Sequence, residues 1–238
     1  MFYEFRGKKV HLKKTKGKGD WIVFLHGWGG TIKSFECVAE KFTEHKCLLI
    51  DFPPFGESEE MVDVWNLSDY VEMLREILNA FEIDKVKIIA HSFGGRVAIL
   101  FASIYTDKVE KLILVDSAGI KPKFNIIVKL KILKYKILKK IGFKQKNKGS
   151  ADYKLLSSKM KKTFVNIINE HLEKQCERIN CPTLIIFGKK DKETPIYMAK
   201  KLNSLIKNSA VIIFKNARHF SYIDNFNDFI LIAKSFLN

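Results

Sequence analysis

The sequence lacks an apolar run long enough to cross a membrane, since its longest runs, such as residues 97–102, fall far short of the roughly 18 residues required. The first six residues contain no apolar h-region, so we expect no secretory signal. The spacing of the cysteines matches no zinc or redox pattern, which favours free thiols over a metal site. These cysteines are Cys37, Cys47, Cys176 and Cys181. We therefore expect a cytoplasmic protein with no transmembrane segment.

Several motifs for bound cofactors and nucleic acids are also missing. The chain has no P-loop, no dinucleotide-binding fingerprint and no HExxH sequence. It has no helix-turn-helix, zinc-finger or RNA-recognition signature either, so nucleic acid is the weakest candidate partner. We expect a protein that needs neither a metal nor an organic cofactor.

Acidic residues are absent from one long segment, although the chain is otherwise close to balanced. The 238 residues carry 42 Lys and Arg against 26 Asp and Glu, a net charge of +16. Eleven lysines and no acidic residue lie between Lys121 and Lys148. Because 47% of the residues are apolar, the chain can bury a sizeable core, which excludes intrinsic disorder. The charge is therefore largely a local property of this segment, and a net charge of this size makes nucleic acid, an anionic membrane or an acidic protein a candidate partner.

Short apolar runs alternate with helical patterns along most of the chain. The predicted strands are apolar on both faces, as strands of a parallel sheet must be, and comprise residues 21–25, 47–50, 86–90, 112–115, 184–187 and 211–214. The predicted helices comprise residues 31–42, 67–81, 94–105, 195–205 and 227–236, after an N-terminal antiparallel hairpin of residues 3–5 and 8–12. This alternation predicts an α/β fold with a mostly parallel central sheet and helices on both faces.

Residues 121–178 break the alternation, because they have helical periodicity and no strand. We interpret them as a helical insertion into a core formed by residues 1–120 and 179–238. On one predicted helix an apolar stripe faces away from most of the lysines, which makes a basic amphipathic helix. The stripe consists of Ile126, Leu130, Leu133, Ile137 and Ile141.

The strongest local signal for chemistry is the segment of residues 88–95, in which a buried strand runs through a serine into a helix. A tight strand-to-helix turn needs very small residues two before and two after the serine, and Ala90 and Gly94 occupy those positions. This arrangement is typical of a nucleophile elbow, which exposes Ser92 at the end of the strand. The alternative at this point is a capping serine on an ordinary turn.

Two further loops complete a resemblance to the α/β-hydrolase family that covers essentially the whole chain. His26-Gly27-Trp28-Gly29-Gly30 follows the first central strand and is similar to the H-G-x-G loop of that family. Residues 51–58 are similar to the D-x-P-G-x-G-x-S loop, with Pro54 in place of the usual Gly. The resemblance implies an oxyanion hole formed by the backbone N–H groups of Trp28 and Phe93, with both side chains lining the substrate pocket.

The resemblance also implies a base and an acid for the serine, in the chain order Ser, acid, His. His219 lies just past the last strand, at the family's position for the base, with Arg218 where Gly is common. Asp191 follows the preceding strand in a G-x-x-D pattern and is our candidate acid. Asp116, at the end of an earlier strand, is the alternative, because some hydrolases of this fold carry their acid there. We expect the side chain of His91 to point away around the turn.

These residues imply a serine hydrolase that acts on small-molecule carboxylic esters or related acyl substrates through an acyl-enzyme. One alternative is a C–C bond hydrolase or lyase that uses the same triad on an anionic substrate. Arg96 would favour it by reaching the pocket, although we expect Arg96 to make a structural ion pair. The other alternative is a non-catalytic ligand-binding protein on a hydrolase scaffold.

The insertion of residues 121–178 corresponds, in this family, to a small helical cap over the active site. One interpretation is a cap whose lysines are only solvated. The other is that the Lys-rich cap docks on an acidic carrier protein or an anionic lipid surface, which delivers an acyl substrate.

Overall fold

The computed structural model describes residues 1–123 and 156–238. The strands in these ranges are β1 (Phe2–Phe5), β2 (Lys8–Lys14), β3 (Trp21–Leu25), β4 (Lys46–Ile50), β5 (Val86–His91), β6 (Val109–Val115), β7 (Thr183–Gly188) and β8 (Ser209–Phe214). The helices in these ranges are α1 (Lys33–Ala39), α2 (Leu67–Ala80), α3 (Phe93–Ile104), α4 (Ser158–Asn169), α5 (Glu173–Cys176), α6 (Ile196–Leu205), α7 (Ser221–Asp224) and α8 (Phe226–Leu237). Among the described helices, none has the length and apolar character that a membrane span requires.

The eight strands form one mostly parallel sheet in the order β1-β2-β4-β3-β5-β6-β7-β8. The β1–β2 and β2–β4 pairs are antiparallel, and every pair from β4 to β8 is parallel. The predicted fold class, including the N-terminal hairpin, is confirmed.

Both faces of the sheet are buried, as the apolar strands predict. Along β3, Ile22 and Phe24 pack in one core cluster, whereas Val23 and Leu25 pack in the other. Successive side chains of a strand point to opposite faces, so each face carries its own apolar core. The central helix α3 is buried along nearly its whole length.

The described end of the predicted insertion is helical, as expected, and packs on the loop before α2. The side-chain hydroxyl of Thr163 on α4 accepts a hydrogen bond from the Trp65 N–H at 3.0 Å. Lys159 donates a hydrogen bond to the Met61 carbonyl at 2.6 Å. The predicted stripe from Ile126 to Ile141 lies outside the described residues, so the domain boundaries and the cap stay predictions.

Strands β3, β5, β6 and β7 run parallel, so their carboxyl ends meet at one edge of the sheet. The loops that follow these ends, together with the loop after β8, carry the residues that the sequence singled out. In open α/β sheets, ligands bind in the crevice outside these carboxyl ends.

Candidate active site

Ser92 forms the whole connection between β5 and α3, and its backbone has a φ of 49°. A positive φ is strained for a residue with a side chain, and such strain persists where the surrounding structure enforces it. Here two glycines allow the close approach. A Cβ on Gly94 would lie 2.1 Å from the carbonyl oxygen of Leu25, and one on Gly95 would lie 2.1 Å from the hydroxyl of Ser117. The predicted tight turn is confirmed in its geometry.

The structure brings the side chains of Ser92, His219 and Asp191 into one hydrogen-bonded chain. His219 Nε2 lies 3.2 Å from Ser92 Oγ, and His219 Nδ1 lies 2.8 Å from Asp191 Oδ2. The other carboxylate oxygen, Oδ1, accepts the N–H groups of Glu193 at 2.7 Å and Thr194 at 3.0 Å. The Thr194 hydroxyl also donates to Asp191 Oδ2. An acid oriented in this way can hold the imidazole with its Nε2 facing the serine.

The pKa values of Asp191 and His219 are shifted in opposite directions. Burial by itself would raise the pKa of Asp191, but hydrogen bonds from His219 and Thr194 outweigh burial and hold that pKa below its ordinary value. Burial by itself would lower the pKa of His219, yet the hydrogen bond and charge of Asp191, with smaller contributions from Glu193 and Asp116, raise it. The pair therefore favours an ionised Asp191 beside an imidazole that can accept a proton.

Asp116, the alternative acid, is fully buried and makes a different set of contacts. Its Oδ1 accepts the Gly188 N–H at 2.8 Å, and its Oδ2 accepts the Ser221 N–H at 3.0 Å. Burial raises the pKa of this carboxyl to about 7. Asp116 thus ties the end of β7 to the start of α7, while Asp191 contacts the imidazole of His219.

Trp28, on the loop after β3, lines the same cavity as Ser92 and Phe93. Gly29 has a φ of 76°, and the Gly30 N–H closes the turn on the Gly27 carbonyl at 3.0 Å. Within the described ranges, we find no hydrogen bond from the N–H groups of Trp28 or Phe93. Two such donors beside a serine can stabilise an oxyanion.

His26 joins the loop after β3 to the loop after β4 through its two ring nitrogens. Its Nδ1–H donates to the Gly27 carbonyl at 2.7 Å, and its Nε2 accepts the Phe52 N–H at 2.9 Å. Burial lowers the pKa of His26 to about 4, so the imidazole stays neutral and keeps both hydrogen bonds at neutral pH.

A cavity of about 1060 Å³ opens over Ser92 and His219. Its described walls are largely aromatic and aliphatic, and the Trp28 ring lies 5.0 Å from those of Phe55 and Phe164. Apart from its histidines, the charged side chains among its described lining residues are Arg96 and Glu193. The volume is sufficient for a small-molecule substrate. Within the described ranges, no cluster of His, Cys, Asp and Glu could hold a metal ion.

Two residues beside the elbow make contacts that the sequence did not predict. The ring of His91 lies 4.8 Å from the ring of His219, and its Nε2–H donates to the His219 carbonyl at 2.8 Å. Burial lowers the pKa of His91 to about 3. Arg96 makes no ion pair with any described residue. Its guanidinium instead donates to the Glu170 carbonyl.

Thr194 and Glu193 are site residues that sequence reasoning did not single out. Thr194 follows the candidate acid by three residues, and its side chain bonds Asp191 as well as the Asp116 carbonyl at 3.0 Å. A hydroxyl residue at that spacing is a signal that could have identified it. Glu193 had no such signal, because its place depends on how the loop folds.

A family model described as the alpha/beta hydrolase fold matches residues 20–139, just over half of the chain. The chain belongs to the alpha/beta hydrolase fold family. Within the family, it is 26% identical over 252 residues to a pimeloyl-[acyl-carrier protein] methyl ester esterase of Aliivibrio fischeri, with 94% of this chain and 96% of that protein covered.

The chain is also similar to a relative with another name and to solved structures. The chain is 22% identical over 255 residues to a 2-hydroxy-6-oxo-2,4-heptadienoate hydrolase of Pseudomonas putida, covering 93% of this chain and 90% of that protein. Among solved structures, it is similar to MGS-M2, an alpha/beta hydrolase enzyme from a Medee basin deep-sea metagenome library. The TM-score is 0.80 at 19% identity, with 100% of this chain and 97% of the other covered. At this identity, the likeness concerns the fold.

Proposed function

We propose that the protein is a serine hydrolase acting on carboxylic esters or related acyl substrates. The observation that carries the proposal is the hydrogen-bonded chain from Ser92 Oγ through His219 to Asp191 at a strained strand-to-helix turn. In such a chain, the histidine accepts the proton of the serine hydroxyl as a general base and so activates a weak nucleophile.

In the acylation step, His219 Nε2 takes the hydroxyl proton while Ser92 Oγ bonds to the substrate carbonyl carbon. The carbonyl oxygen becomes negative and accepts the N–H groups of Trp28 and Phe93. The positive end of α3, which begins directly after Ser92, stabilises the same charge. His219 then gives its proton to the leaving oxygen, the carbon–oxygen bond breaks, and an acyl-Ser92 ester remains.

In the deacylation step, water replaces the leaving group. His219 takes a proton from the water as it attacks the acyl carbon, and returns that proton to Ser92 Oγ as the acyl bond breaks. The products are a carboxylic acid and the original serine. Asp191 stays ionised throughout and stabilises the imidazolium form of His219.

The proposed substrate class includes acyl chains delivered by an acidic carrier protein. The Aliivibrio fischeri relative is named for a carrier-bound methyl ester and covers nearly the whole chain. Eleven lysines without an acidic residue between residues 121 and 148 provide a complementary charge. The four cysteines are free, which fits a reducing compartment such as the cytoplasm.

A second candidate is a C–C bond hydrolase or lyase acting on an anionic substrate. Arg96 favours it, because this arginine is 94% buried, lines the cavity, and has a backbone carbonyl as its hydrogen-bond partner. Burial lowers the pKa of Arg96 to about 10. Among the described residues, the partner of this buried cation is a backbone carbonyl and not a carboxylate, so an anion that enters the cavity would stabilise it most.

Matched substrates test the proposal. Wild-type protein and the Ser92→Ala variant are assayed on a methyl ester bound to an acidic carrier protein, on the same ester free in solution, and on a vinylogous 1,5-diketone acid. We expect ester hydrolysis that Ser92→Ala abolishes, with salt inhibiting only the carrier-bound reaction. Cleavage of the diketone acid without ester hydrolysis would favour the second candidate. Folded protein that turns over none of them would favour a binding protein.

A further inference from the structure

A second carboxylate reaches the catalytic imidazole at the nitrogen that faces the serine. Glu193 Oε2 lies 3.3 Å from His219 Nε2, nearly as close as the 3.2 Å that separates this nitrogen from Ser92 Oγ. This carboxylate takes no part in the proposed acylation and deacylation steps. It is the one acidic side chain among the described residues that line the cavity.

The backbone of Glu193 is fixed even though its side chain is exposed. Its N–H donates to Asp191 Oδ1 at 2.7 Å, and the next residue, Thr194, is bound to the same carboxylate. The Glu193 side chain is 72% exposed, so it reaches the imidazole from the solvent side. The loop that orients the acid therefore also delivers a negative charge to the cavity rim.

The proton transfer from His219 fixes how far the leaving group of the substrate lies from the Glu193 carboxylate. His219 Nε2 must protonate the leaving oxygen, so this oxygen lies within hydrogen-bond distance of Nε2. With Glu193 Oε2 at 3.3 Å from Nε2, the leaving oxygen lies at most about 6 Å from the carboxylate. A charge one or two bonds further along the leaving group is still within reach of a partly screened Coulomb interaction.

We propose that Glu193 is a specificity-determining residue that selects leaving groups by charge, favouring cationic over neutral and neutral over anionic ones. This inference rests on the proposed serine-hydrolase function. Arg96 does not cancel the effect, because it is held by the Glu170 carbonyl and buried, whereas Glu193 meets Nε2. The buried end of the cavity thus accepts an anion, while the side of the leaving group rejects one.

The test compares esters that share an acyl group and differ only in the leaving group. Choline, its neutral isostere 3,3-dimethylbutanol and a sulfonate of similar size provide the three charges. For each ester, kcat/KM is measured at low ionic strength in the wild type, Glu193→Gln, Glu193→Lys and Glu177→Gln. Glu177 is an exposed glutamate that does not line the cavity, so Glu177→Gln is the matched control.

We expect the ratio of choline to neutral ester to fall roughly three- to tenfold in Glu193→Gln, as a screened interaction over several ångströms implies. Glu193→Lys should favour the sulfonate ester, Glu177→Gln should leave all ratios unchanged, and the differences should shrink in high salt. Equal ratios in all four proteins would overturn the proposal.

Labelling of Ser92 with a neutral fluorophosphonate, measured on the same samples, distinguishes a failure of the role of Glu193 from a failure of the serine-hydrolase function. Normal labelling with unaltered charge ratios would overturn the role of Glu193 alone. Absence of labelling in the folded wild type would overturn both the role of Glu193 and the serine-hydrolase function on which it rests.

Discussion

Replacing each of the two candidate acids by alanine should affect different properties of the protein. Asp191 contacts His219 Nδ1 at 2.8 Å, so Asp191→Ala removes the group that holds the imidazole in its productive tautomer. In serine hydrolases, loss of the triad acid lowers kcat by about 10⁴-fold, which corresponds to about 5.5 kcal/mol of transition-state stabilisation. We expect a loss of this size for Asp191→Ala.

Asp116→Ala should act mainly on stability. It removes the acceptors of the Gly188 and Ser221 N–H groups, which Asp116 holds at 2.8 Å and 3.0 Å in a fully buried position. Each buried donor left without a partner costs about 1–3 kcal/mol, so we expect a loss of about 2–6 kcal/mol in the free energy of unfolding. Activity per folded molecule should fall by less than about a hundredfold, because the contact between Asp191 and His219 remains.

The assay combines ester hydrolysis with denaturant unfolding of the same preparations, and activity is expressed per folded molecule. Ser92→Ala provides the baseline for hydrolysis that does not depend on the nucleophile. The assignment of Asp191 as the acid is refuted if Asp191→Ala keeps more than a tenth of wild-type activity while folded Asp116→Ala loses nearly all of it. This outcome would make Asp116 the acid.

Three further perturbations test single contacts. Glu193→Gln should shift the acidic limb of the pH profile of kcat/KM to lower pH. His219 must be neutral to act as a base, and Glu193, together with Asp191 and Asp116, raises the pKa of His219, whereas the adjacent His91 is neutral. An acidic limb that does not move, measured on a neutral ester, would contradict this. His91→Phe should lower kcat about tenfold at similar KM by removing the hydrogen bond to the His219 carbonyl, and His91→Gln, which keeps a donor, should restore part of it. Gly94→Ala should lower the midpoint of thermal unfolding sharply, since its Cβ would lie 2.1 Å from the Leu25 carbonyl oxygen; an unchanged midpoint would show that the turn is not this tight.

The architecture was predictable because its strands are buried on both faces. Runs such as residues 21–25 have no polar alternation, so they fit only a sheet covered on both sides. The elbow was predictable for a related reason, because steric limits leave little choice beside Ser92, where even one methyl group on Gly94 has no room. Both features depend on the size and polarity of residues that are close together in the sequence.

Helix ends and short helices were less predictable, because tertiary contacts set them. Helix α1 was predicted for residues 31–42 but spans Lys33–Ala39. Just before the helix begins, the Ile32 N–H donates a hydrogen bond to Asp51 Oδ1 at 2.6 Å, a contact that the local sequence does not show. Helix α7 was not predicted, and its first N–H, on Ser221, is held by Asp116, a residue 105 positions away. Local patterns carry no information about such partners.

Side-chain directions around the site were the least predictable. His91 turns toward the loop of the base, and Arg96 meets a backbone carbonyl in place of a carboxylate. Glu193 contacts the imidazole of His219 from a loop whose backbone is hydrogen-bonded to Asp191. Each of these contacts joins segments far apart in sequence, and backbone groups, which every residue has, supply several of the partners.

Labelling with a fluorophosphonate, followed by peptide mapping, tests the central assignment most directly. We expect one label per molecule, attached to Ser92, absent in Ser92→Ala and strongly slowed in His219→Ala. Folded wild-type protein that takes up no label, or takes it up at another residue, would contradict the account.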